Sequence, residues 1–111
     1  MTSWSCQIAP PLSTNEIYSG RRFKTKAYKQ WIKDNGWQIN LQPKPAARFR
    51  RCVVTVDIPF DYGADIDNAL KSTLDLLQTM HIIANDKHVE EITVRRARSV
   101  TRNCRVTVRA L

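Results

Sequence analysis

The sequence predicts an α+β fold in which a small mixed β-sheet packs with two main helices, roughly in the chain order β-α-β-α-β-β. Three observations support this class. Apolar and polar residues alternate near both ends of the chain, as they do in half-buried strands. A middle segment is apolar on both faces, which is typical of an interior strand. The segment that follows it contains no helix breaker and has its apolar residues at helical spacing.

The first half of the chain contains one predicted strand and one predicted helix. The alternating apolar residues of the strand are Trp4, Cys6 and Ile8. Pro10-Pro11 ends this strand, and residues 13–15 are predicted to continue as a loop. A helix is predicted from about Thr25 to Asn35, with Thr25 as its N-cap and Gly36 as its C-terminal stop. Residues 42–47 contain two prolines and are predicted to form an exposed connection.

The second half begins with the clearest strand, predicted from Phe49 to Ile58. One face of this strand carries Cys52, Val54, Val56 and Ile58. Residues 59–64 are predicted to be a loop, and the apolar spacing from Ile66 to Met80 predicts the second helix. A turn at residues 84–86 follows that helix. Two further strands are predicted at about 89–97 and 104–111.

Length and composition are those of one soluble globular domain over residues 1–111, with 42% apolar and 25% charged residues. No apolar run approaches the ~20 residues that a membrane span needs, and the N-terminus lacks a secretory pattern. We therefore expect a cytoplasmic protein with no membrane partner. The cysteines have neither zinc-site nor disulfide spacing and are expected to be buried thiols: Cys6, Cys52 and Cys104.

Charge is segregated along the chain. The net charge of +8 favours a polyanionic partner. Residues 20–51 hold ten basic residues and one acid, and residues 92–111 hold six arginines and no acid. Residues 57–91 hold eight of the ten acids, so an acidic centre lies between two basic flanks, as a DNA-binding protein with a cation site requires. The candidate DNA contacts, which would otherwise form a solvated face, are Arg21, Arg22, Lys24, Lys26, Arg48 and Arg50.

Four residues in the acidic centre are candidates for phosphodiester hydrolysis. Asp65 and Asp67 stand at the start of the second predicted helix, and Asp86 stands in the turn after it. Magnesium prefers oxygen ligands and keeps several waters, so two or three carboxylates are enough to hold it. Lys71 lies one helical turn after Asp67 and could neutralise a phosphate. Each residue also has a structural alternative, because aspartates cap helices and form turns and lysines are commonly solvated.

The segment Asp65-Ile66-Asp67-Asn68-Ala69-Leu70-Lys71 resembles the RusA-like Holliday junction resolvases. That family carries Asp-x-Asp-Asn-x-x-Lys at a helix start and a further Asp about twenty residues later, just before a strand. Asp86 occupies the later position here. The segment from Pro10 to Tyr18 is also similar to the family's Pro-Pro-Ser-x-Asn-x-x-Tyr opening. The resemblance extends over residues 7 to 95.

The resemblance implies a RusA-like fold and a crossover junction endodeoxyribonuclease. Such an enzyme resolves four-way DNA junctions by paired symmetric nicks, in recombination and repair and often in phage. It implies that Asp65, Asp67 and Asp86 hold Mg²⁺, that Mn²⁺ can substitute, and that no small-molecule cofactor is needed. It also implies that Lys71 is catalytic and that the protein is a homodimer, which presents two equivalent sites to a nearly two-fold junction.

One departure from the family and two rival functions accompany this interpretation. The family often has basic residues immediately before its first motif aspartate, whereas this chain has none in residues 60–64. One rival is a non-catalytic basic nucleic-acid-binding module in which the aspartates only cap a helix. The other is a nuclease of the same chemistry that acts mainly on other branched DNA.

Overall fold

The structure, a computed structural model, describes residues 2–12, 18–19, 23–64 and 66–111. Within these ranges the strands are β1 (Ser3–Ile8), β2 (Tyr18–Ser19), β3 (Phe23–Lys24), β4 (Cys52–Ile58), β5 (Val89–Arg96) and β6 (Cys104–Ala110). The helices are α1 (Lys26–Asn40) and α2 (Asn68–Thr79), and a short 3-10 helix (Asp86–His88) precedes β5. Neither α1 nor α2 is long and apolar enough to cross a membrane.

Four strands form the main sheet in the order β1-β6-β4-β5. Strand β6 runs antiparallel to both β1 and β4, whereas β5 runs parallel to β4. The mixed sheet confirms the α+β class, and the chain order of its strands and the two helices is the predicted one. The β2–β3 pair was not predicted, because strands of two residues are too short to show alternation. The loop predicted at residues 13–15 lies outside the described residues.

The hydrophobic core lies between the helices and one face of the sheet. The core face of β4 is fully buried and consists of Cys52, Val54, Val56 and Ile58, as predicted for an interior strand. Tyr28 and Trp31 of α1 and Leu76 of α2 pack into the same cluster. All three cysteines are free and buried, as expected. Burial raises the pKa of the Cys6 and Cys104 thiols to about 12, so neither is a reactive thiol near neutral pH.

Helix α1 begins as predicted but ends later. The Thr25 hydroxyl accepts a hydrogen bond from the Tyr28 backbone N–H at 3.1 Å, which confirms it as the N-cap. The prediction that Gly36 ends the helix was wrong, because α1 continues to Asn40. A Cβ on Gly36 would lie 2.7 Å from Met80 Sδ, so the glycine allows α1 to approach the end of α2. The last turn is retained because Ile39 is fully buried.

Phe49 marks a second difference between the predicted and observed bounds. Strand β4 begins at Cys52 rather than at Phe49, which forms only an isolated bridge with Ile83. The Phe49 side chain is nevertheless buried in the core. The predicted connection at residues 42–47 is largely exposed. A buried aromatic side chain next to a strand therefore extended the apolar pattern beyond the strand itself.

His81, which follows α2, has a left-handed backbone conformation with φ 60°. A residue with a Cβ pays roughly 1 kcal/mol for this conformation, whereas glycine adopts it freely. We expect His81→Gly to raise the free energy of unfolding by about 0.5–1 kcal/mol, measured by chemical denaturation. His81→Ala keeps the strain and is the matched control. Equal stabilisation by both variants would show that loss of the imidazole, and not relief of the backbone, is the cause.

Candidate active site

Asp67 immediately precedes α2, and its backbone is already helical, with φ −68° and ψ −19°. Its side chain makes no capping hydrogen bond and is exposed. The Asp67 carboxylate therefore does not cap α2, which was the structural alternative for this residue. Asp65, the other aspartate of the predicted pair, lies outside the described residues.

Lys71 and Asp75 follow Asp67 at intervals of one helical turn. Lys71 is exposed on the face that begins at Asp67, as its predicted role requires. Asp75 is half-buried and accepts a hydrogen bond from the Tyr28 hydroxyl at 2.7 Å. Because this bond joins α2 to α1, Asp75 has a structural function.

Asp86 is the first residue of the 3-10 helix before β5. The Asn85 side chain caps this turn by accepting a hydrogen bond from the Lys87 backbone N–H at 3.0 Å. The Asp86 backbone N–H donates to Gln78 Oε1 at 3.0 Å, and the Asp86 side chain is exposed. The neighbouring asparagine thus makes the turn, which leaves the Asp86 carboxylate facing solvent.

Asp67 and Asp86 lie at opposite ends of α2. Asp67 directly precedes the helix, whereas Gln78, the residue that binds the Asp86 amide, belongs to its last turn. A helix of 12 residues is about 18 Å long. Among the described residues, which exclude Asp65, no three acidic, histidine or cysteine side chains are placed to hold a metal. One chain therefore places Asp67 at the start of α2 and the Asp86 backbone beside its last turn.

An arginine of β5 binds the loop that precedes α2. The Arg96 guanidinium donates hydrogen bonds to three carbonyl oxygens, those of Phe60 (3.3 Å), Tyr62 (2.7 Å) and Ala64 (3.1 Å). It also lies 5.9 Å from the centre of the Tyr62 ring. The Tyr62 hydroxyl donates to the Pro11 carbonyl at 2.8 Å, which ties the loop to the segment after β1.

A second arginine covers the tip of the same loop. The Arg98 guanidinium lies 4.3 Å from the centre of the Phe60 ring, which is half exposed. Residues 60–64 contain no basic side chain, but Arg96 and Arg98, at and just after the end of β5, supply basic side chains that contact this loop. The sequence held one signal for them, the acid-free run of arginines in residues 92–111, but it did not indicate which arginines approach the loop.

A buried carboxylate was missed altogether. Asp57 lies on the polar face of β4 and is 2% exposed. Its oxygens accept hydrogen bonds from Arg95 at 2.5 Å and from Arg105 at 3.2 Å, on the two neighbouring strands. The bond to Asp57 raises the pKa of the Arg95 guanidinium. The sequence did contain a signal for this ion pair. An acidic residue within an interior strand is expected to be buried, and a buried carboxylate requires a hydrogen-bonding or charged partner.

The predicted DNA contacts Arg48 and Arg50 are exposed on either side of buried Phe49. The Phe49 carbonyl accepts a hydrogen bond from the Ala84 N–H at 2.8 Å. This places the two arginines beside the segment that leads to Asp86, at the far end of α2 from Asp67. The remaining predicted contacts are Lys26, which is exposed, and Arg21, Arg22 and Lys24, whose side chains the structure does not describe.

Exposed aspartates that serve no local structural purpose, on a strongly basic chain, are features of a DNA-cutting nuclease. The family model for endodeoxyribonuclease RusA matches residues 10–110, nearly the whole chain. The chain therefore belongs to the RusA endodeoxyribonuclease family, as its Asp-x-Asp-Asn-x-x-Lys motif predicted. Comparison with curated proteins gives no significant match. The family implies Holliday junction resolvase activity, and its nucleases generally depend on a divalent metal and act as dimers.

Proposed function

We propose that this protein is a Mg²⁺-dependent endonuclease that resolves four-way DNA junctions by paired symmetric nicks, in recombination and repair. The observation that carries the proposal is the Asp67 carboxylate, which stands exposed at the family's motif position without capping α2. The net charge of +8 supports a polyanionic substrate. Family membership supports the choice of DNA as that substrate.

We assign the metal to Asp65, Asp67 and Asp86. Carboxylates suit Mg²⁺, which prefers oxygen ligands and retains waters, and Mn²⁺ accepts the same ligands. When bound, such a cation supplies a Lewis acid and an activated water for attack on the phosphodiester. Lys71, on the same helix face as Asp67, would bind a phosphate oxygen and offset the charge that develops on it.

We further propose that each site is shared between two subunits. In one chain Asp67 lies at the start of α2, which is about 18 Å long, and the Asp86 amide binds Gln78 in its last turn. In a two-fold dimer with antiparallel α2 helices, the start of one helix lies beside the end of the other. Asp65 and Asp67 of one subunit would then meet Asp86 of the partner subunit.

An apolar stripe along α2 supports this arrangement. Ile66, Leu70 and Leu74 recur at intervals of one helical turn. Ile66 is 41% exposed, and the two leucines are only half-buried in the single chain. A second copy of α2 packed along this stripe would remove that apolar surface from water. The same packing would produce two equivalent sites, as paired nicking requires.

The Asp86 end of α2 would then contribute basic residues to each site. Arg48 and Arg50 lie at the Asp86 end, whereas Arg96 and Arg98 lie at the loop before α2. A shared site would therefore have Arg48 and Arg50 of one subunit beside the scissile phosphate. We also propose Arg21, Arg22, Lys24 and Lys26 as contacts with the DNA backbone.

One gel tests the proposed function. A labelled four-way junction, a Y-fork and a linear duplex are each incubated with Mg²⁺ or with EDTA. We expect symmetric nicks on the junction alone, and only with Mg²⁺. Products from all three substrates would favour a nuclease for branched DNA in general. Salt-sensitive binding with no cleavage in any divalent metal would overturn the proposal in favour of a non-catalytic module.

A further inference from the structure

We propose that Arg96 is a positioning residue, which orders the loop at residues 60–64 and thereby presents the aspartates that follow it to the metal. This inference rests on the proposed role of Asp65 and Asp67 as ligands. Arg96 itself touches the loop backbone, so its effect on the reaction is exerted through the loop.

The sheet places Arg96 where the loop begins. Arg96 is the last residue of β5 and pairs with Ile58, the last residue of β4. The Ala97 N–H donates to the Ile58 carbonyl at 2.9 Å, which fixes the backbone just beyond this pair. The arginine is therefore held by the main sheet while its side chain reaches over the chain that leaves β4.

The planar guanidinium of Arg96 can bind several carbonyl oxygens of the loop at once. A guanidinium has five N–H donors in one plane, and here they meet carbonyls of alternate residues along the loop, Phe60, Tyr62 and Ala64. A lysine ammonium has three donors at one point and could not span the same carbonyls. The contacts therefore fix the path of the loop up to the residue before Asp65.

Much of this loop is exposed to solvent. Phe60, Asp61 and Gly63 are exposed, and a Cβ built on Gly63 would meet no atom within 4 Å. Besides the Arg96 hydrogen bonds, the Tyr62 side chain holds the loop: it packs against the core and donates its hydroxyl to the Pro11 carbonyl. A loop that becomes ordered only when metal binds would lower the affinity for metal, because its conformational entropy is lost at that step.

The test compares Arg96→Ala with Arg98→Ala, a matched control that removes the same charge and a contact with the same loop but none of the carbonyl bonds. We expect Arg96→Ala to raise the half-saturating Mg²⁺ concentration for junction cleavage about tenfold and to weaken Mn²⁺ binding, measured by electron paramagnetic resonance, equally. Arg98→Ala should leave both values unchanged. Arg96→Lys should raise the half-saturating Mg²⁺ concentration by only about threefold, because the ammonium can still bind one of the carbonyls.

Hydrogen exchange of the peptide containing residues 59–67 supplies a readout that needs neither metal nor cleavage. The Tyr62 N–H, which donates to the Pro59 carbonyl at 3.1 Å, should exchange at least tenfold faster in Arg96→Ala than in Arg98→Ala. Unchanged exchange together with a wild-type metal requirement would overturn the inference. If Arg96→Ala does not fold, the lysine variant decides by the same criteria. Should the wild type cut no DNA, the proposed function fails, and exchange still reports whether Arg96 orders the loop.

Discussion

Asp67→Asn will abolish junction cleavage in Mg²⁺, by at least about a thousandfold, and will leave junction binding within about threefold of the wild-type value. The substitution removes a charged oxygen ligand and keeps nearly the same shape. Because the Asp67 carboxylate makes no capping bond, its loss should not destabilise α2. Single-turnover cleavage measures the first effect, and a mobility shift in Ca²⁺ measures the second.

Asp61→Asn is the matched control for this substitution. Asp61 is also exposed, carries the same charge and lies in the loop just before the motif, but it is not an assigned ligand. Its variant should cut junctions at close to the wild-type rate. Two results would contradict the assignment of Asp67: retained cleavage by the Asp67 variant, or loss of junction binding by a variant that is still folded.

Local patterns predicted the elements of this fold well because each has its own periodicity. Alternation located β1 and β6, apolar spacing located α2, and Thr25 correctly marked the start of α1. Gly36 was misjudged because a glycine that admits a neighbouring side chain looks the same in sequence as one that ends a helix. That distinction depends on Met80, which is far away in the chain.

The residues of the candidate site are predicted by the sequence motif, whereas their placement on the fold comes from the structure. The motif predicts Asp67 and Asp86 as site residues, and the convergence of their carboxylates stays a prediction. The placement of Asp86 beside the last turn of α2 depends on the bond of its amide to Gln78, which no sequence pattern indicates. The contacts of Arg96 with the loop could not be predicted from the sequence, because they depend on the register between β4 and β5.

A mixture of two inactive variants will recover activity if each site is shared between subunits. In a dimer of one Asp67→Asn chain and one Asp86→Asn chain, one site receives both altered residues and the other receives neither. Random assortment makes half of the dimers mixed, so roughly a quarter of the wild-type sites should be intact. Co-expression with two affinity tags isolates the mixed dimer, and junction cleavage by it measures the recovery.

The pattern of products is as informative as their amount. A mixed dimer with one intact site should nick one strand of the junction and fail to make the paired incision. Mixing Asp67→Asn with Asp65→Asn is the matched control, because both changes affect the same end of α2 and leave every shared site with a lesion. That control should recover nothing. If a verified mixed dimer of the Asp67 and Asp86 variants also recovers no cleavage, each site must lie within one chain. Asp67 and Asp86 of the same chain would then have to come together by a rearrangement of residues 59–67.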